Sequence, residues 1–252
     1  MKKMALFLTL STGLLTAGCS RLDLALKFVD TYVVYKVDDY FDLTSKQKDW
    51  LRVEFEKDFA KIKSNILPKA AKDLERLSIT IANKKTYTEK EIEAELELLF
   101  TYFMEIVRTF TQNAKSFASL LSIKQVENFQ KNYREKLEDF RESNTPKKAQ
   151  DRMLTSYDNW FGSLSSAQTS MITSFITENP FPTDLLVTNR LRLSDEFKEA
   201  FAVEASRNSF IDRLFTDYNS MLDSNYTVLR SNRNKSFIRL LTSMLNSMTE
   251  DQ

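Results

Sequence analysis

Glycine is nearly absent from this chain. Gly13 and Gly18 lie close to the N-terminus, and between them and Gln252 there is one more, Gly162. Tight hairpins, β-bulges and phosphate-cradling loops need backbone at positive φ, which glycine adopts without steric cost. A chain that has so nearly dispensed with it is a poor candidate for a β-rich, dinucleotide-binding or P-loop fold. Histidine is missing altogether. That removes Ser-His-Asp and Cys-His catalysis, histidine-ligated zinc and a histidine general base.

Helical periodicity fills the space that remains. Leu51, Phe55, Phe59, Ile62 and Ile66 form one stripe, and Ala70, Leu74, Leu77 and Ile81 continue it beyond Pro68, which should kink the helix or divide it. Ile92, Leu96, Leu99, Phe103, Ile106, Phe110, Ala114, Phe117 and Leu121 read as one long core-facing helix. Further stripes run through Val126, Phe129, Tyr133, Leu137 and Phe140, through Met153, Tyr157, Trp160 and Leu164, and on to Phe237, Leu241, Met244 and Met248. No stretch alternates in polarity long enough for a strand. The expected fold is all-α, a multi-helix bundle of long amphipathic helices. Asn179-Pro180-Phe181-Pro182 must interrupt any helix, so residues 19–178 are expected as the main helical domain and 183–252 as a C-terminal helical segment packed on it.

The N-terminus reads as an export signal. Met1-Lys2-Lys3 is positive, Met4 to Leu15 is apolar, and Leu15-Thr16-Ala17-Gly18-Cys19 closes the segment with small residues. The apolar run is shorter than the ~20 residues that span a bilayer. The closing segment resembles a lipobox, which implies cleavage after residue 18 and lipid on Cys19, with Thr16 standing where a branched apolar residue is usual. Several acyl chains on one cysteine anchor a protein stably where one chain does not. Ser20 follows Cys19 where the inner-membrane retention signal of Gram-negative lipoproteins has aspartate. The expected location is therefore the bacterial cell envelope, at the outer membrane and facing the periplasm. Cys19 is the only cysteine, so no internal disulfide can form. The 36 basic and 35 acidic side chains nearly cancel, so nucleic acid is not an expected partner.

One pattern recurs. Leu43-Thr44-Ser45-Lys46-Gln47 reappears as Leu121-Ser122-Ile123-Lys124-Gln125 and Leu164-Ser165-Ser166-Ala167-Gln168, and again at the chain's end as Met248-Thr249-Glu250-Asp251-Gln252. Four of the seven glutamines fall in it. Tyr87-Thr88-Glu89-Lys90-Glu91 is a relative that carries glutamate. This is the capping box, in which the hydroxyl accepts the amide of the third helical residue and that residue's side chain returns to the cap amide. Thr44 with Gln47, Thr88 with Glu91, Ser122 with Gln125 and Ser165 with Gln168 should each start a helix, at about 1 kcal/mol per cap. The apolar residue before the cap can pack on the fourth helical residue, as Leu121 on Val126 and Tyr87 on Ile92. The terminal copy has no helix left to cap, and is expected to be a relic or a coincidence.

These boxes resemble the Leu-Thr-x-x-Gln motifs of the all-helical envelope chaperones of the Spy and CpxP type, which hold unfolded clients without ATP. Asp38-Asp39-Tyr40-Phe41-Asp42-Leu43-Thr44, with Gln47 and Trp50-Leu51, resembles the hallmark of a family of Gram-negative helical lipoproteins of unknown function. The lipobox, Trp160-Phe161-Gly162-Ser163-Leu164-Ser165 and the Asn189-Arg190 region extend that resemblance over most of the mature chain. It implies a helical lipoprotein and brings no activity with it.

Candidate chemistry is sparse. Asp38, Asp39 and Asp42 could serve as an acid and base or bind calcium, but they read better as a helix-end cluster paired with nearby cations. Arg230, Arg233, Lys235 and Arg239 read as a solvated helix face, and the alternating Glu89, Glu91, Glu93, Glu95 and Glu97 as exposed surface. Catalytic residues, metal and cofactor are not expected, and the small-molecule ligand is left open. The leading expectation is a non-enzymatic binding or scaffold module that meets another envelope protein or cell-wall material. An ATP-independent chaperone comes next, and a carboxylate-dependent hydrolase third.

Overall fold

In the computed structural model, residues 28–249 and Gln252 are described; the signal segment 1–18, Cys19 and Ser20 lie outside them. The described residues form α1 (Val29–Phe41), α2 (Ser45–Asn65), α3 (Leu67–Asn83), α4 (Glu89–Thr109), α5 (Thr111–Ser119) and α6 (Ile123–Ser143). They continue as α7 (Pro146–Phe161), α8 (Ser166–Glu178), α9 (Thr183–Phe201), α10 (Glu204–Thr216), a 3₁₀ turn (Tyr218–Met221) and α11 (Ser224–Asn246). Among the described residues there is no strand. The protein is an all-α multi-helix bundle. None of these helices is long and apolar enough to cross a membrane.

The helix breaks follow local chemistry. Pro68 occupies the first turn of α3, where its missing amide costs nothing, so it separates α2 from α3 at Ile66. Pro180 and Pro182 keep α8 apart from α9. The long helix expected from Ile92 to Leu121 is instead two, α4 and α5, joined at Phe110, where the chain tightens: the Phe110 amide donates to Val107 O at 3.1 Å, three residues back, at φ −85° and ψ −6°. Spacings of three and four persist across that joint, so periodicity alone runs through it.

The core is assembled in patches. Leu43, Phe117, Leu121, Val126 and Phe201 form one, Tyr157, Ile172, Phe175, Ile176, Leu240 and Met244 another, and Leu193, Phe210 and Met221 a third. The hairpin of α3 and α4 stands partly outside them. It is tied by polar contacts, Arg76 bidentate to Glu95 at 2.7 and 2.6 Å and the Tyr102 hydroxyl to Asp73 at 2.5 Å. Its apolar residues Leu74, Ile79, Phe100 and Phe103 are exposed.

Gly162 ends α7 at φ 73° and ψ −157°, a conformation essentially reserved for glycine. A Cβ there would meet nothing within 4 Å, so any penalty is conformational. Gly162→Ala is expected to lower stability by about 1–3 kcal/mol, read as a shift of the urea midpoint; a midpoint that stays in place would refute the assigned backbone.

Candidate functional site

Each box forms in the same way. Thr44, Ser122, Ser165 and Thr88 accept the amides of Gln47, Gln125, Gln168 and Glu91 at 3.3, 3.3, 3.2 and 3.4 Å. The side-chain oxygens of those residues accept the cap amides in return, at 2.9, 3.0, 2.9 and 2.9 Å. Two orphan amides of a helix start are thereby satisfied at each site.

A glutamine in this role still has its amide nitrogen to spend. Gln47 Nε2 donates to Gln125 Oε1 at 3.1 Å, and Gln125 Nε2 to Gln47 Oε1 at 2.8 Å. The two nitrogens also reach Leu120 O at 2.7 Å and Asp42 O at 3.1 Å, each the carbonyl five residues before the partner glutamine. Gln168 and Gln252 repeat the arrangement at 3.0 and 3.1 Å, with Nε2 of each on Ser247 O at 3.2 Å and Ser163 O at 3.0 Å. The terminal box is therefore neither relic nor coincidence. Thr249 donates its amide to Gln252 Oε1 at 3.2 Å, which orients that glutamine toward Gln168. The box has a second use besides capping, and that use needs no following helix.

Glu91 shows the converse. A carboxylate has nothing to donate, and Glu91 is exposed and takes Lys84 instead. That contact, together with the Thr88 amide and hydroxyl, holds its pKa down at about 2. Its box is secured differently: Asn246 of α11 clasps the backbone of Tyr87, accepting its amide at 2.6 Å and donating to its carbonyl at 3.0 Å.

The three aspartates are divided among separate tasks. Asp38 accepts the Leu43 amide at 2.8 Å and pairs with Lys48 at 2.7 Å. Asp39 bonds Lys136, which lowers its pKa. Asp42 closes α1 in the left-handed conformation, φ 55°, and presents its carbonyl to Gln125. Among the described residues no cluster suits a metal ion. The cationic run of α11 is not uniformly a solvated face: Arg233 is half-buried, lies over the rings of Phe175 and Phe181 at 5.0 and 5.4 Å and donates to Asn179 O at 3.2 Å. Its planar guanidinium permits that stacking where an ammonium would demand water.

Beside the first box pair lies an open cavity of about 630 Å³, walled by α1, α2, α5, α6, α9 and α10. Its surface is almost wholly apolar, from Val33 and Val37 on α1 to Phe210 and Leu214 on α10. Its polar groups are few. Glu54 pairs with Lys57 at 2.6 Å, and Asp58 with Lys61 at 2.8 Å and with Asn113 at 2.6 Å. Arg190 stacks over Phe140 at 5.3 Å, and no ion pair of the described residues includes it. One turn further along α9, Ser194 is 3% exposed and its hydroxyl has no partner among the described residues. Tyr133 and Tyr218 complete this side. Burial pushes the Tyr133 hydroxyl up, against the opposing charge of Arg190. A smaller apolar cavity of about 560 Å³ adjoins the second box pair and reaches Gln252. Tyr157 lines it, and its buried hydroxyl has no partner among the described residues, its pKa raised to about 12 by desolvation.

A family model described as a family of unknown function (DUF6279) matches residues 39–227. The chain belongs to this family. The match carries three of the four paired glutamines, Gln47, Gln125 and Gln168, and the α2, α5, α6, α9 and α10 walls of the larger cavity. No curated protein and no solved structure matches the chain. Within the DUF6279 chain, periodicity overlooked Arg190 and Ser194. Both share a face with Leu193 and Phe197, so the available signal was a cation and a hydroxyl at core spacing.

Proposed function

We propose that this DUF6279 protein is a non-enzymatic binding module of the bacterial envelope. It is held to the outer membrane by lipid on Cys19, faces the periplasm, and takes apolar matter into the cavity beside the first box pair. The observation that carries this reading is the cavity itself. An opening of this size with an apolar wall and a few convergent polar groups is the usual form of a ligand site. The anchor rests on the sequence around Cys19 alone, and mass spectrometry of the mature N-terminus tests it.

The purified chain is expected to take up an environment-sensitive apolar dye at one equivalent. Ala114 lines the cavity from α5. Ala114→Phe should fill the space and reduce uptake at least tenfold, with helical circular dichroism unchanged. Equal uptake by the variant would place the dye elsewhere and defeat the proposal.

A second reading, an ATP-independent chaperone, is favoured by the exposed Leu74, Ile79, Phe100 and Phe103 of the α3–α4 hairpin. It requires that the chain suppress aggregation of a denatured test protein at stoichiometric ratio. Replacing those four residues with serine should then remove the effect without emptying the cavity of dye.

A further inference from the structure

The cavity's polar groups are distributed unequally, and the imbalance specifies a ligand. Its two carboxylates are already paired, Glu54 with Lys57 and Asp58 with Lys61 and Asn113. Its one guanidinium, on Arg190, lies over the Phe140 ring at 5.3 Å, and no ion pair or side-chain hydrogen bond of the described residues uses its N–H donors. Ser194 lies four residues on and therefore on the same side of α9. A helical serine ordinarily returns its hydroxyl to the carbonyl four residues back or to water. Ser194 is buried, no group of the described residues accepts its hydroxyl, and the residue lines the cavity. A buried hydroxyl without a partner costs stability, so its persistence calls for an explanation. The hydroxyls of Tyr133 and Tyr218, from α6 and the 3₁₀ turn, have no hydrogen-bond partner among the described residues and line the same cavity. One side of an apolar chamber thus holds a positive charge and three residues whose hydroxyls no group of the described residues engages.

We infer that the cavity binds a single-chain amphiphile with an anionic head, of the fatty-acid or lysophospholipid kind, its chain along the apolar wall and its head on Arg190. The inference rests on the cavity being a binding site, as proposed above, and adds the class of ligand. Guanidinium and hydroxyl donors suit a carboxylate or phosphate equally, so both sources of that head belong in the test. A neutral alcohol would leave the Arg190 charge uncompensated.

The test uses the full chain in detergent-free buffer, with each ligand kept below its micellar concentration and dye displacement as the readout. Myristate is expected to displace the dye at one equivalent, and tetradecanol to do so at least tenfold more weakly. Across decanoate, dodecanoate and myristate, each added methylene should tighten binding about fourfold. Arg190→Met should erase the preference for acid over alcohol. Tighter binding of myristoyl lysophosphatidate than of myristate would assign the head to phosphate, and the reverse to carboxylate; either outcome supports the inference. Equal affinity of the wild-type chain for acid and alcohol, or a variant that keeps the preference, would overturn it. If the dye binds in the cavity but no amphiphile displaces it, this inference falls and the broader binding role stands. If a folded chain binds neither dye nor amphiphile, both fail.

Discussion

Gln168→Glu is expected to destabilise the protein by about 3–4 kcal/mol at pH 7, near the lower end of the cost of leaving a buried charge without its partner. Gln168 is 1% exposed, and its Nε2 donates to Ser247 O at 3.2 Å, Ser247 Oγ at 3.2 Å and Gln252 Oε1 at 3.0 Å. A carboxylate would set an oxygen against three oxygens, with no water to intervene. The capping half of the box survives, because glutamate can still accept the Ser165 amide, as Glu91 accepts that of Thr88 at 2.9 Å. The loss therefore isolates the amide pair from the cap. Its pH dependence has a definite sign. Burial and the facing acceptors raise the new carboxyl's pKa in the folded state above its unfolded value of about 4.3. The neutral acid can donate to Ser247 O, so below that unfolded value the variant is nearly as stable as the parent. The deficit grows as pH rises through 4.3 and levels off above the folded-state pKa. Urea denaturation of both proteins at pH 4 and pH 8 measures it. The same deficit at both values would mean that the amide pair is not buried against carbonyl oxygens.

That pair marks the limit of what could be read from residues alone. A Ser or Thr three positions before Gln states a cap with its mechanism, and Thr44, Ser122, Ser165 and Thr88 all occupy caps. Which box meets which is set by tertiary folding, since Gln47 and Gln125 stand on helices separated by three others. The residue type did hold a hint. Glutamate would satisfy a cap as well as glutamine, yet the exposed box has glutamate and the paired boxes have glutamine throughout. Only an amide can serve the cap and a neighbour together.

Apolar spacing proved a guide to helix and a poorer guide to burial. Phe103 falls in register with Ile92 and Leu99 but is 56% exposed, because the α3–α4 hairpin projects where nothing packs on that part of its face. Arg190, Ser194 and Arg233 failed in the opposite sense. Each is polar, which in a sequence signals solvent, while stacking on rings or lining a cavity keeps Arg190 and Arg233 half-buried and Ser194 buried. Such placements depend on partners distant in sequence, and no window of ten or twenty residues contains them.

Ile172→Ala is expected to lower stability by about 3 kcal/mol, from lost transfer energy and the void left behind. Ile172 is fully buried on α8, within the patch of Tyr157, Phe175, Leu240 and Met244. Its further value lies in what it says about cooperativity. The box pairs tie residues 43–125 into one unit and 164–252 into another, so two independent transitions are conceivable. The aromatic contacts argue against them. Phe197 of α9 meets Phe129 of α6 at 5.9 Å, and Phe201 lies in the patch of Leu43, Leu121 and Val126. The second unit thus supplies part of the first unit's core and cannot unfold without opening it. Ile172→Ala in the second unit and Val126→Ala in the core patch of the first unit's Leu43 and Leu121 should displace the same single urea transition and leave its slope unchanged. Two resolved transitions, each displaced by only one of the substitutions, would show that Phe197 and Phe201 do not couple the two halves.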